Sequence, residues 1–386
     1  MWWKIIFIIM LAAALRGYSP SYEQLTQQRA ERAEKAKGDI VVAIVWQTQR
    51  REDLFEKGIG MAVEEINRRG GVLGRRLRAL RYNVSTGEKA LQLAKKLSRN
   101  PDIVAVIGHG DSDEAIPASI VYEESGLLFI SPGATSPLLT SHGFQYVFRN
   151  IPSDRQTGRD LAEFANASGY RNVASVDDQS SYGQLLAESF VEHAQKIGIE
   201  IKGMMSYYPW QNDFRLLIAD IKSMHVDAIF LGAHLPMGAE VIRQAREMGV
   251  MVPILAGDGL DSPSLWKIAG KAAEGTIISS VFNPDVKDEI ARTFSRNFYA
   301  RYSCYPDTWA AQGYDAMRLL SYAFAEAKST IPLVVSSYLH FIASWHGVTG
   351  SYSFTDCGDI MGKEMYFKVV RNGGFQYLDS FHKGGE

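Results

Sequence analysis

Ile40-Val41-Val42-Ala43-Ile44-Val45 is apolar at every position. A strand with one wet face alternates apolar and polar residues, so a run apolar on both parities predicts a strand covered on both faces. The stretch after it carries Ile59, Ala62, Val63 and Ile66, the stripe of an amphipathic helix, and Gly70-Gly71 ends it with residues free to take positive φ. The unit then repeats. Strands are expected at Leu77 to Val84, Ile103 to Ile107 and Leu127 to Ile130, with helices at Lys89 to Leu97 and Ala115 to Glu124. A second series starts after Phe148-Arg149-Asn150-Ile151-Pro152, with Ser153 placed to cap a helix. Its strands read at Val173 to Val176, Glu200 to Ser206, Ala228 to Leu231 and Ile254 to Ala256, and its helices at Gln184 to Lys196, Phe214 to Met224 and Ala239 to Met248. This alternation predicts the α/β class, with two similar lobes in tandem. Helical patterns follow at Lys287 to Tyr302, Thr308 to Lys328 and Leu333 to Ser344. Hairpin-like strands at Ser351 to Phe354, Met365 to Val370 and Phe375 to Leu378 close the chain.

Composition bounds the function around this core. The chain has 386 residues, 41 Lys+Arg against 43 Asp+Glu and a formal net charge of -2. That is globular composition, neither disordered nor fibrous, and the charge balance gives no global attraction to nucleic acid. At roughly 100 to 200 residues per domain the length accommodates two or three domains.

At the N-terminus, one cation, Lys4, precedes the apolar run Ile5 to Leu11 and then Ala12-Ala13-Ala14. The run falls short of the roughly 20 residues a membrane span needs, and Ala12-x-Ala14 fits signal-peptidase cleavage, so 1–14 is expected to be a signal peptide of an exported, soluble protein. Residues 15–38 are polar, with Leu25 the only large aliphatic residue between Ser21 and Gly38. They read as a solvated spacer, with the folded body starting near Asp39. Cys304 and Cys357 lack CxxC spacing, and a bridge between them requires Cα atoms within about 7 Å, which sequence does not show.

Candidate chemistry sits in the loops after the strands, where open α/β sheets bind ligands. Val106-Ile107-Gly108-His109-Gly110-Asp111-Ser112-Asp113-Glu114 has a glycine loop before a helix, but its acids stand where a pyrophosphate would bind. Ser112 reads as a helix cap whose donors suit a carboxylate, although a purely structural cap explains it equally. Ile130-Ser131-Pro132-Gly133-Ala134-Thr135-Ser136-Pro137 is a small-residue loop, and Thr135 both donates and accepts. Tyr182, after Asp177-Asp178, and Asp258, between Gly257 and Gly259, take the matching places in the second lobe. No HExxH, GxSxG or P-loop pattern is present, His193 and His225 read as surface residues, and Asp177 and Asp178 point to opposite faces of a strand. The expectation is a binding protein rather than an enzyme, with no cofactor, no metal site and no nucleic-acid partner.

Ile66-Asn67, Gly70-Gly71-Val72-Leu73-Gly74, Val106 to His109, Ile130 to Thr135, Tyr182-Gly183, Arg243-Gln244-Ala245-Arg246 and Ala273-Glu274-Gly275 occur in an order that resembles the leucine/isoleucine/valine-binding proteins, type I periplasmic substrate-binding proteins of ABC importers. The resemblance runs from about Asp39 to Leu378. It implies two Rossmann-like lobes joined by three crossovers, lobe 1 being 39–152 plus 282–345 and lobe 2 being 153–281 plus 346–386, with a ligand cleft between them. It also implies a carboxylate-binding role for Ser112, a loop for both α-groups at Gly133, Ala134 and Thr135, a cleft tyrosine at Tyr182 and an ammonium-binding acid at Asp258. The implied setting is a periplasmic monomer that captures a small amino-acid-like ligand for a membrane ABC permease. A ligand-sensing protein of the same fold, binding an amide or an aromatic acid, is the reading from another class.

The sequence departs from the family pattern around the cleft. The first-lobe loop is Trp46-Gln47-Thr48-Gln49-Arg50-Arg51-Glu52-Asp53, with Arg51 near a family tyrosine; His234 replaces a second tyrosine, and Thr86 and Asp111 stand at about the positions of the family cysteines. Trp46, Arg51 and His234 point to a more polar, acidic or aromatic side group than that of leucine.

Overall fold

The computed structural model describes residues 20–47 and 52–378; the segment read as a signal peptide and Arg51 lie outside them. The first element is a helix, α1 (Tyr22–Lys35). Strands β1 (Ile40–Val45), β2 (Leu77–Tyr82), β3 (Ile103–Gly108), β4 (Leu128–Ser131) and β5 (Val147–Arg149) form a parallel sheet in the order β2-β1-β3-β4-β5, interleaved with α2 (Phe55–Arg68), α3 (Gly87–Ser98) and α4 (Ser112–Glu124). The two parities of β1 serve two cores. Val42 and Ile44 pack with Phe55 and Ile59 of α2, while Ala43 and Val45 pack with Ala90 and Ala94 of α3 and Ala118 of α4.

The second lobe repeats the plan. Helices α5 (Asp154–Ala167), α6 (Ser181–Lys196), α7 (Arg215–Ser223), α8 (Met237–Glu247) and α9 (Ser264–Ala269) alternate with β6 (Asn172–Asp177), β7 (Glu200–Ser206), β8 (Ala228–Gly232), β9 (Ile254–Ala256) and β10 (Ile277–Ser280). The chain then returns to the first lobe for α10 (Glu289–Tyr302), α11 (Thr308–Glu326), α12 (Pro332–Phe341), β11 (Trp345–Gly347), β12 (Gly350–Phe354) and β13 (Ile360–Met361). It ends with β14 (Tyr366–Arg371), antiparallel to β10, and β15 (Gly374–Tyr377), giving the second sheet the order β15-β14-β10-β9-β8-β6-β7.

Two expectations differ from this packing. Trp345, Tyr352, Phe354 and Ile360 belong to the first lobe's core, so the tail read as second lobe from 346 onward divides, and only β14 and β15 join the second sheet. The segment read as a solvated spacer contains a docked helix. Ser21 and Gln24 form a reciprocal capping box, and Leu25, Arg29 and Ala33 are buried at i, i+4 and i+8. Hydropathy hides this face because its central residue is a cation. The Arg29 guanidinium is fully buried and donates to the carbonyls of Ser98 at 2.5 Å, Ile103 at 2.6 Å and Asn100 at 2.8 Å.

Two of the crossovers meet in a buried polar hinge. Lys363, between β13 and β14, donates through Nζ to the Asn150 carbonyl at 2.6 Å and to Gln312 Oε1 at 2.8 Å, and Gln312 Nε2 donates to the Pro132 carbonyl at 3.1 Å. The crossovers at Asn150 and Lys363 are thereby tied to Gln312 of the first lobe rather than left as free linkers.

Candidate functional site

The carboxyl ends of the parallel strands of the two sheets face one cavity of about 350 Å³. Gln47, Asp111 and Asp113 line it from the first lobe, and Asp178, His234 and Asp258 from the second.

On the first-lobe side the loops stack closely beneath an aromatic cluster. Trp46 is buried, stacks on Phe55 at 3.8 Å, lies 5.8 Å from Trp309 and donates Nε1–H to Asp53 at 3.0 Å. A Cβ at position 133 would stand 2.7 Å from the Gly110 carbonyl and 2.9 Å from the Trp46 ring, so only glycine lets this loop close under Trp46. Asp111, not Ser112, is the N-cap residue of α4. Ser112 opens the helix itself, and its hydroxyl accepts from the Ser136 N–H at 3.1 Å, tying two loops of the wall together. Ala134 donates its N–H to Ser131 Oγ at 3.0 Å, and the Thr135 carbonyl accepts from the Asp154 N–H at 2.8 Å. His109 is buried against the Tyr122 hydroxyl, and burial takes its imidazole down to about 3 against the opposing pull of Asp111, so it is neutral and structural.

On the second-lobe side the Gly-Asp-Gly turn is explained by Tyr182. Its hydroxyl accepts from the Gly259 N–H at 2.9 Å, and a Cβ at position 257 or 259 would collide with the phenol. The two glycines let Asp258 sit against the ring and present its carboxylate to the cavity. His234 packs 4.6 Å from Tyr182, and both its backbone N–H and its Nδ1 meet Asp178 Oδ2, at 2.8 and 3.0 Å. Burial alone would raise the Asp178 carboxyl; the His234 charge, with hydrogen bonds from His234 and Ser180, outweighs it and holds the group at about 2. The far imidazole nitrogen, Nε2, lies 3.9 Å from Asp111 Oδ1 across the cleft.

Asp154, buried near enough to Asp258 to feel its charge, is an acid that sequence reading passed over. It is the first residue of α5, fully buried where the first crossover enters the second lobe. Burial raises its carboxyl well above the usual range, the Thr135 hydroxyl opposes this, and the Asp258 charge adds to it. Its only signal was an acid in the first turn of a helix, which any solvated helix start shares.

Of the residues picked from sequence, Asp258 and His234 line the cavity, while Trp46, Ser112, Gly133, Ala134, Thr135 and Tyr182 are buried and are not among its lining residues. The arrangement offers carboxylates, hydroxyls and backbone groups in a concave interlobe space, which suits binding of a small polar molecule. No group of three His, Cys, Asp or Glu among the described residues is placed to hold a metal. Both cysteines are free thiols.

Residues 52–374 match the family described as "Periplasmic binding protein". The chain belongs to the periplasmic binding protein family. It is 29% identical to Leu/Ile/Val-binding protein homolog 1 of Brucella abortus (strain 2308) over 329 residues, 84% of this chain and 88% of that protein. It is 31% identical to the Leu/Ile/Val-binding protein of Escherichia coli (strain K12) over 255 residues, 66% of this chain and 69% of that one. Among solved structures it resembles an ABC transporter substrate-binding protein from Desulfitobacterium hafniense in complex with Leu, with TM-score 0.80 and 35% identity, covering 88% of this chain and all of that one. These relatives are binding proteins, not enzymes, and the periplasmic-binding-protein fold expected from sequence is the fold observed.

Proposed function

We propose that this periplasmic binding protein is an exported solute-binding component of an ABC importer, capturing one small amino-acid-like molecule between its lobes and presenting it to a membrane permease. The observation that carries this reading is the interlobe cavity, lined by Asp258 of a turn that Tyr182 holds through the Gly259 N–H. Asp258 receives the ammonium. The first-lobe loops supply backbone and hydroxyl groups for the other α-group, and His234 pairs with Asp178 to fix the second-lobe wall. The chemistry is recognition without turnover.

A thermal-shift screen over amino acids, amides and aromatic acids tests the reading, because a ligand that binds only the folded state raises the melting temperature by mass action. One class of amino-acid-like compound should stabilise the protein at one-to-one stoichiometry. Asp258→Ala and Thr135→Ala should each lower affinity by about 100-fold, the loss of a charge-assisted contact, with the ligand-free melting temperature nearly unchanged. Undiminished affinity in both variants sinks the site assignment. Stimulation of the cognate permease's ATPase by the liganded protein tests the transport half.

A further inference from the structure

Gln47 and Tyr207 line the cavity, and each carries a buried polar atom with no hydrogen-bond partner among the described residues. Gln47 is 3% exposed, and its amide nitrogen donates to Asp111 Oδ2 at 2.8 Å and to Glu114. Both partners are carboxylates, which accept when ionised, and this fixes the amide so that Oε1 is the remaining group, an acceptor without a partner among the described residues. Tyr207 is 1% exposed, and its hydroxyl likewise has no partner among the described residues. Gln47 comes from the first lobe and Tyr207 from the second, and both line the same cavity. Neither atom meets solvent, so each carries an uncompensated desolvation cost unless a ligand group fills the place.

The rest of that wall is rich in acceptors. Asp113 and Asp178 line it beside Gln47 and Tyr207. Burial, with the Asp178 and Asp177 charges, pushes the Tyr207 phenol far above its usual range, so it stays a neutral hydroxyl that can accept as well as donate. A branched aliphatic side chain placed here would leave Gln47 Oε1 and the Tyr207 hydroxyl unpaired. Sites built to hydrogen-bond a polar group reject apolar analogues strongly for this reason. A hydroxyl brings one donor, whereas an amide, ammonium or guanidinium brings two or more.

Resting on the solute-binding reading above, we propose that the ligand's side group is a nitrogen-bearing hydrogen-bond donor, and that Gln47 and Tyr207 are the residues that select it over the aliphatic side chains of leucine, isoleucine and valine. Gln47 Oε1 accepts one N–H and the Tyr207 oxygen a second, one from each lobe, so the side group helps hold the lobes together.

Calorimetry with L-glutamine, L-asparagine, L-lysine, L-arginine, L-leucine and L-valine is the test, on the wild type and on Tyr207→Phe and Gln47→Met. At least one of the four nitrogen-bearing amino acids should bind the wild type at least tenfold more tightly than leucine or valine. Tyr207→Phe should cost that ligand about tenfold and leave leucine unchanged or improved, and Gln47→Met should act in the same direction. Tyr207→Phe removes one oxygen from a retained ring and reports even if Gln47→Met fails to fold. Tighter binding of leucine or valine than of all four overturns this inference and leaves the solute-binding reading standing, as does a ligand ranking unchanged in Tyr207→Phe. If none of the six compounds binds and the wider screen also finds no ligand, both readings fall.

Discussion

Asp113 Oδ1 accepts a hydrogen bond from the backbone N–H of Ser181 at 3.2 Å. Asp113 stands in the first turn of α4 in the first lobe, and Ser181 is the first residue of α6 in the second, so a carboxylate of one lobe meets the positive end of a helix in the other. With the approach of His234 to Asp111, this contact joins the lobes across the cleft mouth. A bond of this kind contributes about 1.4 kcal/mol, a tenfold change in the ratio of closed to open forms. Asp113→Ala is therefore expected to shift ligand-free protein toward a more open form, seen as a larger radius of gyration in small-angle scattering. A profile that superposes on the wild type would show that the contact adds nothing to closure.

Docking of α1 rests on Arg29 more than on hydrophobic burial. Its guanidinium meets three carbonyls at the end of α3 and the start of β3, and burial lowers it only to about 10, so it remains charged at neutral pH. Arg29→Ala removes three charge-assisted bonds and is expected to cost about 3 kcal/mol in urea unfolding. A loss below about 0.5 kcal/mol would mean that the helix rides on the lobe without stabilising it.

What was legible in the sequence followed from period and turn chemistry. β1 was readable because both its parities are apolar, and Glu200 to Ser206 and Ile254 to Ala256 fall on β7 and β9 residue for residue. Asp258 was placed at the cleft by its strand-end loop and by the family resemblance rather than by its flanking glycines, whose cause the structure supplies in the Tyr182 ring. α1 was not legible, because the residue that anchors it is an arginine and a buried guanidinium has no hydropathy signature. Nor was Asp154, whose burial depends on where the first crossover enters the second lobe. Gln47 and Tyr207 went unremarked for a similar reason: an unsatisfied polar atom is a property of three-dimensional surroundings, not of a residue type.

The Asp178–His234 pair makes stability depend on pH in a definite window. The Asp178 carboxyl lies at about 2 in the folded protein against its ordinary value of 3.8. A depressed folded value adds stability above the unfolded value, about 2 kcal/mol here, and loses it as pH falls from 3.8 through 2. Asp178→Asn should be less stable than the wild type by roughly that amount at pH 6, and the gap should narrow toward pH 2. Urea titrations at several pH values measure both; a gap independent of pH would assign the cost to packing instead.

Lys363 in the hinge has the opposite linkage. Burial brings its amine down from 10.5 to about 7, with Asp315 opposing the shift. Between these values the unfolded chain binds a proton that the folded one has released, so stability should rise with pH across that window, by up to about 1.4 kcal/mol per pH unit. A neutral amine can still donate to both the Asn150 carbonyl and Gln312 Oε1, so the hinge bonds survive the loss of charge. Lys363 Nζ lies 4.8 Å from the centre of the Tyr352 ring, and Lys363→Met keeps an unbranched apolar side chain there but abolishes the titration. The wild type should therefore gain stability relative to Lys363→Met between pH 7.5 and pH 9.5 in urea unfolding; parallel curves for the two proteins would place the proton on Lys363 throughout and remove its part in the hinge's pH response.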